Sequence, residues 1–172
     1  MICKTAFFCV AALLAAAPAA AADAPTDPQI AHIAYTAGNI DIAAGKQALA
    51  ISHNKAVRSF AQEMVRDHQA VNAKALALVK KLHVTPQANA TSASLSKDAA
   101  ATRSRLRHLK GAAFDRAYVD NEVAYHKTVN GALETTLIPN ARNDQLKSLL
   151  QTGLTLFREH QAHAEQVAKG LK

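Results

Sequence analysis

Apolar residues recur every three or four positions along most of the chain, and no run alternates at a period of two, so the sequence predicts helices throughout. Ile30, Ile33, Ala37, Ile40, Ala44, Ala48 and Ile51 form a first stripe, with Asp27 placed to cap the helix and Pro28 at its first position. The segment Ser52-His53-Asn54 breaks it, and Asn54 can cap a second helix over Lys55–Leu82 whose stripe is Ala61, Met64, His68, Val71, Ala75, Leu78 and Leu82. The polar stretch Val84–Ser94 reads as a connection, followed by a shorter helix over Ser96–Lys110 that Gly111 ends. A third long helix is predicted over Ala112–Leu137, stopped by Pro139, with Asp115, Val119, Glu122, His126, Val129 and Leu133 on its stripe. Asn143 can cap a fourth, carrying Leu146, Leu150, Gly153, Phe157, His160, Ala164, Val167 and Leu171. Four long amphipathic helices with one long connection between the second and third predict an all-α fold. It reads as a ferritin-like four-helix bundle with a short extra helix in the crossover.

The stripes are not purely apolar. His68, His126 and His160 each fall on the inner face of a different helix, and Glu122 lies one turn before His126. Asp41 lies in line with Ala34, Ala37, Ala44 and Ala48, whose small side chains let helices approach closely. An unpaired polar group costs about 2–7 kcal/mol to bury, and a charge more, so these groups are best explained if they meet one another. Three arrangements satisfy them. One is a metal site, since imidazoles and carboxylates together suit zinc, iron, manganese or copper(II). Another is a proton-sharing hydrogen-bond network that fixes helix register, with Tyr118 and Tyr125 as phenol partners. The last is exposure to water at the rim of the bundle. His68, His126 and His160 are the candidate ligands, with Asp41, Glu122, Asp67 and Asp115 as carboxylate ligands or as groups that orient the imidazoles. The di-iron pattern of Glu-x-x-His on two helices is not met. His163 lies off the stripe and reads as exposed, as do His32, His53, His83 and His108 near helix ends.

The first 22 residues change the compartment rather than the fold. Lys4 precedes a short apolar run, and Ala20-Ala21-Ala22 offers small residues for cleavage, so residues 1–22 read as a signal peptide and 23–172 as one helical domain. The expected location is periplasmic or secreted, with no transmembrane segment in the mature chain. Both cysteines, Cys3 and Cys9, lie in the leader, which excludes thiolate ligands and cysteine catalysis from the mature domain. The chain carries 20 Lys and Arg against 13 Asp and Glu, and Lys4 is the only basic residue the leader removes. That excess fits either solvated helix faces or attraction to an anionic envelope surface or protein partner; nucleic acid is a poor partner for an exported chain without a recognition motif. No Gly-rich phosphate loop, G-x-S-x-G or Ser–His–Asp spacing is present, so the sequence offers no catalytic motif.

The stretches GNIDIAAGKQALAISHNKAVRSFAQEMVRDHQAVN, FDRAYVDNEVAYHKTV and LFREHQAHAEQ resemble the DUF4142 family of exported bacterial proteins with a ferritin-like four-helix bundle. The Met-x-x-Asp-His element is Met64, Asp67 and His68; the Phe-Asp-x-x-Tyr element with its later histidine is Phe114, Asp115, Tyr118 and His126; the last histidine element is His160. Asp41 stands where that family usually has glutamate, and Glu122 where it usually has glutamine. The resemblance implies the fold, export and a metal site by analogy with ferritin-like proteins. The expected function is an exported helical protein whose His/carboxylate cluster binds a transition metal in envelope stress or metal handling. The alternative is a non-catalytic structural or interaction module whose histidines only fix core packing.

Overall fold

The computed structural model describes residues 24–171, and the signal-peptide reading of residues 1–22 lies outside them. The order is α1 (Asp27–Ile51), α2 (Lys55–Lys81), α3 (Ala90–Arg107), α4 (Gly111–Ala132), a π-helical turn (Leu133–Leu137), α5 (Ile138–Asn140) and α6 (Asp144–Gly170). The chain is all-helical, with no strand among the described residues. No described helix is long and apolar enough to cross a membrane.

Local chemistry sets the ends. Asn54 and Asn143 cap α2 and α6, each accepting from the backbone N–H groups two and three residues on. Thr26, not Asp27, is the cap residue of α1, and its N–H is met by the Gln29 side chain at 3.0 Å. The Asp27 carboxylate instead accepts from the backbone N–H groups of Arg142 and Asn143 at 2.8 and 2.9 Å, tying the start of α1 to the start of α6.

Three boundaries differ from the sequence expectation. The crossover helix starts six residues before Ser96, because Asn89 and Ser92 cap it reciprocally. Gly111 does not end that helix: with φ at 56° it turns the chain into α4. Pro139 does not end α4 at Leu137 either. The preceding turn widens so that Ile138 N–H reaches the Leu133 carbonyl five residues back, and helical backbone continues to Asn140. The Asn140 side chain donates to the Thr136 carbonyl at 2.8 Å.

α1 lies along α2 and α4 along α6; the pairs meet through α2–α6 and α1–α4, and α3 lies against α1. Close approach of α1 and α2 requires glycine at two places. A Cβ on Gly45 would sit 2.8 Å from Val65 Cγ2 and 3.0 Å from the Ala61 carbonyl oxygen, and one on Gly38 would overlap the Asn72 side chain. Two apolar cores result. One joins the second half of α1 to the first half of α2, the start of α4 and the end of α6, around Phe60, Met64, Phe114 and Tyr118. The other joins Ile30 and Ile33 to Leu133, Leu137, Leu146, Leu150 and Phe157. Each fully buried large side chain contributes about 1.5–3 kcal/mol. The polar stripe residues lie between the two cores.

Candidate metal centre

α2, α4 and α6 each carry one imidazole into this middle layer. His68, His126 and His160 are 2%, 1% and 0% exposed, and their ring centroids lie 5.3–5.8 Å apart. One nitrogen from each lies within 4.8 Å of the others. Asp41 from α1 and Glu122 from α4 join from the other side, and oxygens of both lie within 4.8 Å of each other and of a His126 nitrogen. Asp41 Oδ2 is 3.3 Å from His68 Nε2, so the aspartate reaches the cluster despite its short side chain. The four helices that the sequence marked with inward ionisable groups thus bring them together.

The hydrogen bonds fix which nitrogens are free. His126 Nδ1 lies 3.0 Å from the Glu122 backbone carbonyl, which only an N–H can satisfy. The proton is on Nδ1, and Nε2 holds a lone pair with no partner among the described residues. His160 Nε2 lies 3.2 Å from Asp67 Oδ2. Burial opposes ionisation of Asp67, but the hydrogen bonds from Arg66 and His160, with their charges, outweigh it and hold the carboxyl below its usual range. His160 Nε2–H therefore donates to a carboxylate, and its Nδ1 lone pair is left without a partner. Both nitrogens of His68, Asp41 Oδ1, Glu122 Oε2 and the Tyr118 hydroxyl are likewise buried without hydrogen-bond partners.

Burial sets the protonation states. It lowers His68 well below its ordinary value, helped by His126 and His160, and lowers His126 to about 4 against the pull of the Glu122 carbonyl. His160 is also lowered by burial, with Asp67 opposing. All three imidazoles are neutral at pH 7 and present lone pairs. Burial raises Asp41 well above the carboxylate range, reinforced by Glu122, and raises Glu122 to about 7 against a hydrogen-bonding effect from Asp41. Tyr118 and Tyr125 are raised by burial and stay protonated. Tyr125 donates to the Ala37 carbonyl at 3.1 Å, which holds α4 against α1.

A cation fits this donor set. Orphaned buried donors and acceptors are rare because each costs about 1–3 kcal/mol, and here they converge as three imidazoles and two carboxyls. Nitrogen and oxygen donors without sulfur match zinc, iron, manganese and copper(II). The Asp67–His160 pair is also the carboxylate–imidazole arrangement that orients a metal-bound histidine.

The family model described as a domain of unknown function (DUF4142) matches residues 12–167, nearly the whole chain. The chain belongs to the DUF4142 family. No curated protein and no solved structure matches it. In this DUF4142 chain Asp115 does not join the centre. It is buried beside Ser52, whose hydroxyl donates to it at 2.5 Å, and it lies about 10 Å along α4 from Glu122. Its role is to tie the α1–α2 turn to α4. Asp67 holds His160 from the outer side, its side chain 18% exposed, and groups with Glu63 and His160 instead of with His68 and His126.

Three further residues of this DUF4142 chain border the site: Phe157, which lies on the stripe as an apolar residue, and Glu63 and His163, which lie off it. Phe157 stacks on His68, with centroids 4.6 Å apart and planes 16° from parallel, and seals the layer on one side. Glu63 accepts from or shares a proton with His163, whose Nδ1 lies 2.8 Å from its Oε2. Glu63 lies one helical turn before Asp67, so the i, i+4 spacing carried the signal. His163 is half-buried by this contact rather than free; His53, His83 and His108 are exposed as expected, and His32 is half-buried near Thr36.

Proposed function

We propose that this protein is an exported, ferritin-like four-helix bundle that binds a transition-metal ion in the bacterial envelope, where it serves metal handling or stress protection. The observation that carries this reading is the pair of fixed tautomers: His126 Nε2 and His160 Nδ1 both keep partnerless lone pairs inside a cluster that also contains His68. His68, His126 and His160 would hold the ion, with Asp41 and Glu122 supplying carboxylate oxygens. Asp67 would fix the His160 ring and strengthen it as a donor. A bound ion supplies Lewis acidity and, if redox-active, electron transfer. The chain's own residues do the rest: Phe157 and Tyr118 keep bulk water away, and Asp41 and Glu122 give up protons when a cation arrives.

One observation favours a second reading, a structural or interaction module. Asp41 lies near both Glu122 and His68, so a shared proton can satisfy part of the cluster without any ion. Elemental analysis of untagged protein prepared from the periplasm separates the two. The metal reading expects a transition metal bound near stoichiometrically in the wild type and lost in His68→Ala, with helical content retained. Equal metal content in both removes His68 from the site, and none in either after loading with zinc and manganese favours the structural module.

A further inference from the structure

A second group of metal-ligating side chains lies on the outer side of His160. α2 carries Glu63 and Asp67 one turn apart, and α6 carries His160 and His163 one turn apart, so the contact of these helices sets two carboxylates against two imidazoles. Glu63, Asp67 and His160 each offer an atom within 4.8 Å of the other two. His163 Nδ1–H donates to Glu63 Oε2 at 2.8 Å, and its ring stands edge-on to Phe60 with centroids 5.3 Å apart, which fixes its direction. Unlike the buried layer, this group is open to water: the Asp67, Glu63 and His163 side chains are 18%, 27% and 36% exposed.

The balance of charge around the group favours a cation. Glu63 and Asp67 repel each other at this separation. Glu159, exposed and next in sequence to His160, adds a further negative charge. Arg66 supplies the opposing positive charge, bonding the Asp67 oxygens at 2.7 and 3.1 Å. It does so from outside, with its side chain 70% exposed, and an exposed ion pair of that kind contributes little. A divalent ion between the carboxylates would neutralise both at once. Two carboxylates and an imidazole form a donor set that suits zinc or manganese. His160 is already committed, since its Nε2–H holds Asp67 and its other nitrogen belongs to the buried layer.

We infer that Glu63, Asp67 and His163 form a second, surface-accessible site for a divalent cation such as zinc, with His160 holding Asp67 in place. Arg66 swings off Asp67 when the ion arrives. The His163 proton moves to the other ring nitrogen through water, which frees Nδ1 as a ligand. No residue is a ligand to both ions, so this site goes beyond the buried centre and does not require it. Because it is open to water, the outer site exchanges its ion during purification, and titration reads it where elemental analysis does not.

The test is calorimetric titration of the metal-free protein with zinc, with glycine present to outcompete lone surface histidines. The wild type should bind two zinc ions per chain, and Glu63→Gln/His163→Gln one. His68→Ala should lose the buried zinc and keep the outer one. Arg66→Gln should tighten the outer zinc at least threefold, a gain that damage to the fold would not produce. Circular dichroism checks that each variant keeps its helices. If Glu63→Gln/His163→Gln binds as much zinc as the wild type with the same affinities, the outer site is overturned. No gain in Arg66→Gln overturns Asp67 as a ligand. A single zinc lost in Glu63→Gln/His163→Gln but kept in His68→Ala upholds this site and overturns the buried centre; a single zinc lost only in His68→Ala does the reverse.

Discussion

Replacing Glu122 by Gln keeps the shape of a fully buried side chain and removes its titration. In the folded protein burial raises the Glu122 carboxyl to about 7 from an ordinary 4.5. A carboxyl raised on folding holds its proton longer in the native state than in the unfolded one. Its contribution is therefore complete below pH 4.5 and is lost as pH rises through about 7. The gap corresponds to about 3 kcal/mol, at about 1.4 kcal/mol per pH unit. That is a large share of the roughly 5–15 kcal/mol that stabilises a domain. The histidines run the other way: His126, lowered to about 4, loses stability as pH falls from 6.5 towards 4. Wild-type stability alone would mix the two trends, whereas the difference between wild type and Glu122→Gln isolates the carboxyl. The assay is urea unfolding of both proteins with chelator at pH 4.5, 6, 7 and 8. The wild type should lose about 3 kcal/mol relative to Glu122→Gln between pH 4.5 and 8. Asp41 deepens the divergence, because in the variant it no longer faces a second negative charge. A constant difference, or one that favours the wild type at high pH, would refute the reasoning. It would mean that Glu122 is ionised against a protonated imidazole.

Two stability predictions test the frame that holds the centre. Gly45→Ala should destabilise by about 1–3 kcal/mol, because its Cβ meets the Ala61 carbonyl at 3.0 Å and α1 must move off α2; guanidinium unfolding with an unchanged slope checks it. His83→Gly should stabilise by about 1 kcal/mol, since His83 ends α2 at φ 54°, a left-handed conformation that costs a side chain about that much; a melting temperature raised by about 2–4 °C is the expected readout.

The stripe of three- and four-residue steps made much of the centre legible, because it fixes which face a residue occupies. It put His68, His126, His160, Asp41 and Glu122 inward, and they meet. It fixes level along the axis less well, which is why Asp115, on the same stripe as Glu122 but two turns earlier, belongs with Ser52. Asn89 was hidden because Ala90–Ser94 is small and polar and reads as loop until the reciprocal cap with Ser92 is recognised. Pro139 reads as a helix stop, since a proline removes one helical hydrogen bond and crowds the preceding turn; a π turn absorbs both effects.

The most direct measurement is an anomalous difference map from crystals of the protein soaked in zinc or manganese, recorded above and below the metal edge. An ion should lie within the polar layer, bonded to His126 Nε2 and His160 Nδ1 with His68 beside them. Density confined to the Glu63–His163 surface, or none in the layer, would contradict a metal centre built from the three buried imidazoles.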